Sequence, residues 1–137
     1  MSANTPMSLM DFIKAAKACI REVSPQQLQQ MLDSEDDLLL VDVRESSEHE
    51  QGHIKGAVLV PRGILEAAAD PAYPKRHAEL SAARQRPVVL YCATGGRSAL
   101  AADTLQLMGF GSVFSLEGGF VRWAQEAMPV TREARYV

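Results

Sequence analysis

Apolar and polar positions follow two rhythms along this chain. From Leu9 the apolar residues fall at Leu9, Phe12, Ile13, Ala16 and Ile20, in steps of three and four. That spacing predicts an amphipathic helix that packs against the rest of the domain. Its apolar face is also a surface on which a second copy of the chain, forming a homodimer, is able to dock. Residues 1–7 before it read as a loose terminus. Ser24-Pro25-Gln26-Gln27 is a strong helix start. Ser24 caps, Pro25 suits the first helical position, and Gln27 completes a capping box. Leu28, Met31 and Leu32 form the apolar face of this second helix, and an acidic loop leads out of it.

The second rhythm is the short continuous apolar run. Residues 38–43 and 87–91 read as strands covered on both faces, because such runs lack the alternation of a half-exposed strand. Residues 57–60 and 112–116 are two further strand candidates. Helical patterns over 64–69, 75–84, 98–108 and 120–127 separate or follow them, and Pro71 and Pro129 stop two of these. Strands alternating with helices predict an α/β domain with a largely parallel sheet. With 137 residues and no internal repeat or linker, one domain fills the chain.

Composition narrows the function classes. Apolar residues make up 47% of the chain, enough for a real core, and charged residues 23%. A net charge of −3 gives no support to nucleic-acid binding, which calls for a basic surplus. The two cysteines, Cys19 and Cys92, lie far apart and form no secreted-type disulfide framework. No Cys/His set has zinc-ligand spacing, so no metal site is expected. No apolar run approaches the ~20 residues that span a bilayer, and the N-terminus lacks a secretory signal. A cytoplasmic protein without a membrane partner is the expectation.

The chemistry concentrates at one strand end. Strand 87–91 runs into Cys92-Ala93-Thr94-Gly95-Gly96-Arg97, and a helix follows. Ligands of parallel sheets bind beyond the carboxyl ends of the strands, where Cys92 sits. Gly95 and Gly96 let the backbone curl, so that several amide N–H groups converge on one point. The helix behind adds its own unpaired N–H groups and positive dipole end. This predicts an anion cradle with a sulfur at its centre. Free cysteine titrates near ~8.5, and helix N-termini and neighbouring arginines lower that value. Cys92, with Arg97 close by, is therefore expected to be largely thiolate at neutral pH. A buried, inert cysteine is the competing reading, as a structural salt bridge is for Arg97 and a plain tight turn for the glycines. Cys19 reads as a packing residue on the N-terminal helix rather than a disulfide partner of Cys92.

With these residues in view, the chain resembles the rhodanese-like domain family. Cys-Ala-Thr-Gly-Gly-Arg-Ser at 92–98 is similar to the family's active-site loop. The run from Asp42-Val43-Arg44 through Glu48 to Gly52-His53-Ile54-Lys55-Gly56-Ala57 is similar to its first signature. Leu116-Glu117-Gly118-Gly119 followed by Trp123 is similar to its C-terminal one. The resemblance implies a three-layer fold with a mostly parallel central sheet flanked by helices. It divides the chain into an N-terminal helical extension (1–23), a rhodanese-like domain (24–129) and a tail (130–137).

The resemblance also implies a sulfurtransferase that requires no metal or organic cofactor. Cys92 takes the sulfane sulfur of thiosulfate or of a persulfide donor, and a thiol, or cyanide in the assay, removes it. Ala93, Thr94, Gly95, Gly96, Arg97 and Ser98 would bind the transferred sulfur. A thioredoxin-like protein or a protein persulfide is an implied partner. Asp42 and Arg44 are supporting residues: Asp42 either receives loop N–H groups or pairs with Arg44, and Arg44 with Glu48 at i+4 makes a natural helical ion pair. His49 stands where the family often has an aromatic and reads as a packing change. His53 and Trp123 read as structural. Related phosphatases and arsenate reductases use a loop one residue longer, whereas four residues separate Cys92 from Arg97 here. A non-catalytic binding module is a further rival, but such modules typically lack the cysteine that this chain keeps.

Overall fold

The computed structural model describes residues 5–133. Positions 1–4 of the expected loose terminus and 134–137 of the expected tail lie outside the described residues. Ser8 opens helix α1 (Leu9–Lys17) with a capping box closed by Asp11, and Ser24 opens α2 (Pro25–Ser34) with the predicted box closed by Gln27. Each box satisfies two N–H groups that a helix start leaves orphaned. Strand β1 (Arg21–Val23) lies between these helices.

The order then runs β2 (Leu39–Asp42), α3 (Ser46–Gln51), β3 (Val58–Leu59), a 3-10 turn (Arg62–Ile64), α4 (Leu65–Ala69) and α5 (Ala78–Ser81). It closes with β4 (Val88–Tyr91), α6 (Gly96–Leu107), β5 (Val113–Leu116) and α7 (Gly119–Gln125). The five strands form one sheet in the order β1-β5-β4-β2-β3, and every pairing is parallel. Among the described residues, no helix is long and apolar enough to cross a membrane.

The continuous apolar runs divide by parity between the two faces of the sheet. Leu39, Val41 and Val43 of β2 and its exit join Val88, Leu90 and Cys92 under α4, α5 and α6. Leu40, Val89, Tyr91, Leu116 and Trp123 pack on the other face with Leu28 of α2. Both faces are therefore dry, as a parallel sheet requires. Trp123 is buried and donates its indole N–H to the Pro129 carbonyl at 2.7 Å, which makes it a core residue.

Beyond the short helix α3, which the sequence reading did not predict, three elements differ from it. Residues 21–23, read as part of a helical extension, form edge strand β1 beside β5. Three residues are too short for a periodicity signal. In α1 only Ile13 and Ala16 are buried, while Leu9 and Phe12 are 67% and 51% exposed. The third difference is α5, which spans 78–81 rather than 75–84 because His77 caps it: the imidazole Nδ1 accepts the Leu80 N–H at 3.1 Å.

That cap makes stability sensitive to acid. Accepting at Nδ1 requires a neutral ring, and burial lowers the His77 pKa below its ordinary 6.5. A folded-state pKa below the unfolded value stabilises the fold above the unfolded pKa. The contribution is lost as pH falls from about 6.5 through the folded value. Urea midpoints should hold steady above pH ~6.5 and fall below it. His77→Asn, a cap that does not titrate, should flatten part of that slope. An unchanged slope in the variant would refute the cap's role.

Candidate active site

In the sheet order, β2 leads outward to β3 on one side, whereas β4 leads to β5 on the other. The loops that leave β2 and β4 therefore diverge and open a crevice at the strands' carboxyl ends, the usual ligand position in such sheets. Cys92 occupies the exit of β4, and Asp42, Val43 and Arg44 occupy the exit of β2. Asp42 stands opposite Tyr91 in the strand register.

Cys92 is buried, and its Sγ accepts the Gly95 N–H at 3.1 Å. The Ser98 hydroxyl lies 3.5 Å from Sγ and 2.8 Å from the Ser115 hydroxyl. Gly95 takes φ +102°, a left-handed conformation that a side chain would strain, and this turns its amide inward. Helix α6 starts at Gly96, so the first N–H groups of this 12-residue helix have no intrahelical acceptor and face the loop. Of the loop residues predicted to bind sulfur, Gly95 and Ser98 are buried, Ala93, Gly96 and Arg97 half-buried, and Thr94 exposed.

The loop carbonyls are drawn away from the sulfur. Phe120 and Val121, at the start of α7, donate their N–H groups to the Cys92 and Ala93 carbonyls at 2.8 and 3.0 Å. This contact depends on Gly119, where a Cβ would lie 2.5 Å from the Ala93 oxygen and 2.7 Å from the Cys92 oxygen. On the far side, α1 abuts the loop: a Cβ on Gly96 would lie 2.9 Å from Ile13 Cδ1. The N-terminal helix thus buttresses the site.

Asp42 and Arg44 form the pair that was one of two roles open for Asp42. Arg44 donates from Nε and Nη2 to the Asp42 carboxylate, at 3.0 and 2.8 Å, and from Nη2 to the Gly52 carbonyl at 2.7 Å. The Asp42 carboxylate also accepts the Arg44 backbone N–H, the other role considered for it. Both residues are buried. Burial opposes the Arg44 charge, but Asp42 outweighs it and the Arg44 pKa is raised. His49 Nδ1 lies 2.9 Å from Asp42, and its ring stacks on His53 at 3.6 Å. His53 Nδ1 donates to the His49 carbonyl, which is the structural role expected of it. Its backbone pairs with Thr131, so the start of the tail is fastened beside α3. Tyr91 receives the Ile54 N–H on its hydroxyl, and burial, with Asp42 nearby, pushes its pKa up.

The expected Arg44–Glu48 ion pair does not form. Arg44 turns inward to Asp42, and Glu48 pairs with Arg97 instead, through both guanidinium Nη atoms at 3.0 and 3.1 Å. Hydrogen bonding between them raises the Arg97 pKa and holds Glu48 below the usual carboxylate range. Glu48 also accepts the Glu45 N–H, which closes a capping box on α3. Sequence reasoning missed Glu48 as an active-site residue, since its partner is 49 positions away. A cavity of about 350 Å³ opens beside the loop, lined by Arg44, Glu48, Gln51, Gly52, Ala93, Phe120 and Val121.

The site is thus a thiol at the end of the central strand of a parallel α/β sheet, wrapped by a glycine-containing loop. The chain belongs to the rhodanese-like domain family, whose model matches residues 24–126. A sulfurtransferase of Allochromatium vinosum is 34% identical over 111 residues, covering 81% of this chain and 94% of that protein. The probable adenylyltransferase/sulfurtransferase MoeZ of Mycobacterium tuberculosis is 35% identical over 87% of this chain, which spans only 28% of it. A solved structure from Rhodopseudomonas palustris, described as a protein of unknown function and possible tyrosine phosphatase, superposes with a TM-score of 0.86. It is 32% identical and covers 96% of this chain and 99% of its own. Family and relatives together support sulfurtransferase or sulfur-carrier chemistry in general.

Proposed function

We propose that the protein moves sulfane sulfur through a persulfide on Cys92. The observation that carries this reading is the Cys92 Sγ itself, held at the focus of the 92–98 loop with a backbone amide and a hydroxyl directed at it. In the first half-reaction the Cys92 thiolate attacks the outer sulfur of thiosulfate. The donor S–S bond breaks, sulfite leaves with the electron pair, and a Sγ–S bond forms. In the second, a thiolate acceptor attacks the outer sulfur, the Sγ–S bond breaks, and the Cys92 thiolate returns. Cyanide takes the same role in an assay and leaves as thiocyanate. This is covalent catalysis by an activated nucleophile. The Gly95 N–H and the first N–H groups of α6 stabilise charge on the carried sulfur. A persulfide small molecule or a protein persulfide is an equivalent donor, a thioredoxin-like protein an equivalent acceptor, and the cytoplasm the expected setting.

Intact mass after incubation with excess thiosulfate tests the reading. The wild type should gain one sulfur atom and lose it to cyanide or a thiol, whereas Cys92→Ser should gain none. A reduced, accessible Cys92 that stays unmodified with thiosulfate would remove thiosulfate as the donor, and one that stays unmodified with an organic persulfide as well would remove the proposal.

A phosphatase reading is favoured by the description of the R. palustris neighbour. Against it, four residues separate Cys92 from Arg97, and both guanidinium Nη atoms are committed to Glu48 rather than to an oxyanion position. Hydrolysis of p-nitrophenyl phosphate should stay at background.

A further inference from the structure

The 92–98 loop carries one cation, Arg97, and Glu48 holds it by both Nη atoms. Among the described residues, two charged ones line the neighbouring cavity, Glu48 and Arg44, and Arg44 is already bonded to Asp42. Arg132 donates to the Gln51 carbonyl but is solvent-exposed and outside that lining. The rest of the wall includes Ala93, Phe120 and Val121. A doubly charged ligand that enters here meets an ionised carboxylate, two guanidiniums already neutralised, and apolar surface. Removing its hydration shell is costly unless new charge partners replace it. A singly charged ligand with an apolar body loses less hydration and gains contact with the Phe120 ring.

We propose that Glu48 sets donor specificity. By binding Arg97 and presenting its own carboxylate to the cavity, it turns the site against dianionic sulfane-sulfur donors. It favours singly charged donors that carry an apolar group, of the organic thiosulfonate and organic persulfide class. This rests on the Cys92 persulfide reading and narrows it. With a thiosulfonate, the Cys92 thiolate attacks the terminal sulfur, the donor S–S bond breaks, and a sulfinate leaves with the electron pair. Charge balances, one thiolate and one thiosulfonate giving one persulfide anion and one sulfinate. No oxidant or reductant is needed.

Benzenethiosulfonate and thiosulfate present the same sulfane sulfur with one and two negative charges. The rate of sulfur loading on Cys92, divided by donor concentration, is measured for each, and the ratio of thiosulfate to benzenethiosulfonate is compared among variants. Glu48→Gln keeps an oxygen for the Glu45 N–H but releases the Arg97 charge. It should raise the ratio about fivefold to tenfold, the effect of one further ligand charge a few Å from an unneutralised, partly exposed guanidinium. The gain should shrink at high salt. Arg97→Gln leaves Glu48 unpaired and should move the ratio the opposite way. If either variant fails to fold, the other still tests the sign. An unchanged ratio in a folded variant that loads sulfur overturns the role of Glu48 while leaving the Cys92 reading intact. Failure of the wild type to load sulfur from either donor overturns both.

Discussion

Gly119→Ala should lower the stability of the domain by roughly 3 kcal/mol or more and cut sulfur loading on Cys92 about a hundredfold. Two costs combine. Gly119 has φ +60°, and an L-residue in that region costs about 1–2 kcal/mol. The added Cβ would also lie 2.5 Å from the Ala93 oxygen, 2.6 Å from the Ala93 carbonyl carbon and 2.7 Å from the Cys92 oxygen. All three are backbone atoms and cannot rotate away. Either the start of α7 or the 92–98 loop must move. Movement of the start of α7 strips the Phe120 and Val121 N–H groups from the Cys92 and Ala93 carbonyls. Movement of the loop distorts the turn that holds Sγ against the Gly95 amide. Gly63→Ala is the control, because a Cβ there meets nothing within 4 Å and its φ is not positive. That variant should stay within about 0.5 kcal/mol of the wild type. Urea unfolding and the mass assay read both effects, and wild-type behaviour in Gly119→Ala would show that the α7 anchor is dispensable.

The anchor also marks where sequence reading ends. Local signals were legible: the Ser24 capping box, the apolar runs of β2 and β4, and the glycines after Cys92 each act within a few residues. They placed the thiol at a strand end and named the loop around it. What joins the pieces is long-range. The Glu48–Arg97 pair spans 49 positions, and the α7 amides reach back to Cys92 and Ala93. An i+4 spacing made Arg44–Glu48 look like a pair, but a buried carboxylate at Asp42 competes better for the Arg44 guanidinium. Close bidentate geometry in a dry site outweighs an exposed helical pair, which is worth only tenths of a kcal/mol. The three residues of β1 gain their order from β5 rather than from any pattern of their own.

Asp42→Asn is the second large effect expected. The substitution keeps the shape of the side chain and removes its charge. Arg44 then stays charged and buried, with the Gly52 carbonyl and one amide oxygen in place of a carboxylate. Breaking one side of a buried pair costs about 3–5 kcal/mol, because the remaining charge is uncompensated. The Tyr91 and Phe120 rings, 5.5 and 4.4 Å from the guanidinium, offset only part of that. His49 also loses the carboxylate at its Nδ1. The intact pair itself need not be worth that much, since its own desolvation is large. The double variant Asp42→Asn/Arg44→Met separates these quantities. With the orphaned charge gone, it should be more stable than Asp42→Asn alone, and the double-mutant cycle gives the coupling directly. The two outcomes have different consequences for the site. Recovery of stability with poor sulfur loading would mean that Arg44 is retained for the cavity it lines rather than for the fold. Recovery of both would make the pair a dispensable element of the core. A single Asp42→Asn variant as stable as the wild type would show that Arg44 finds water or another acceptor, and that the crevice between β2 and β4 is wetter than its burial indicates.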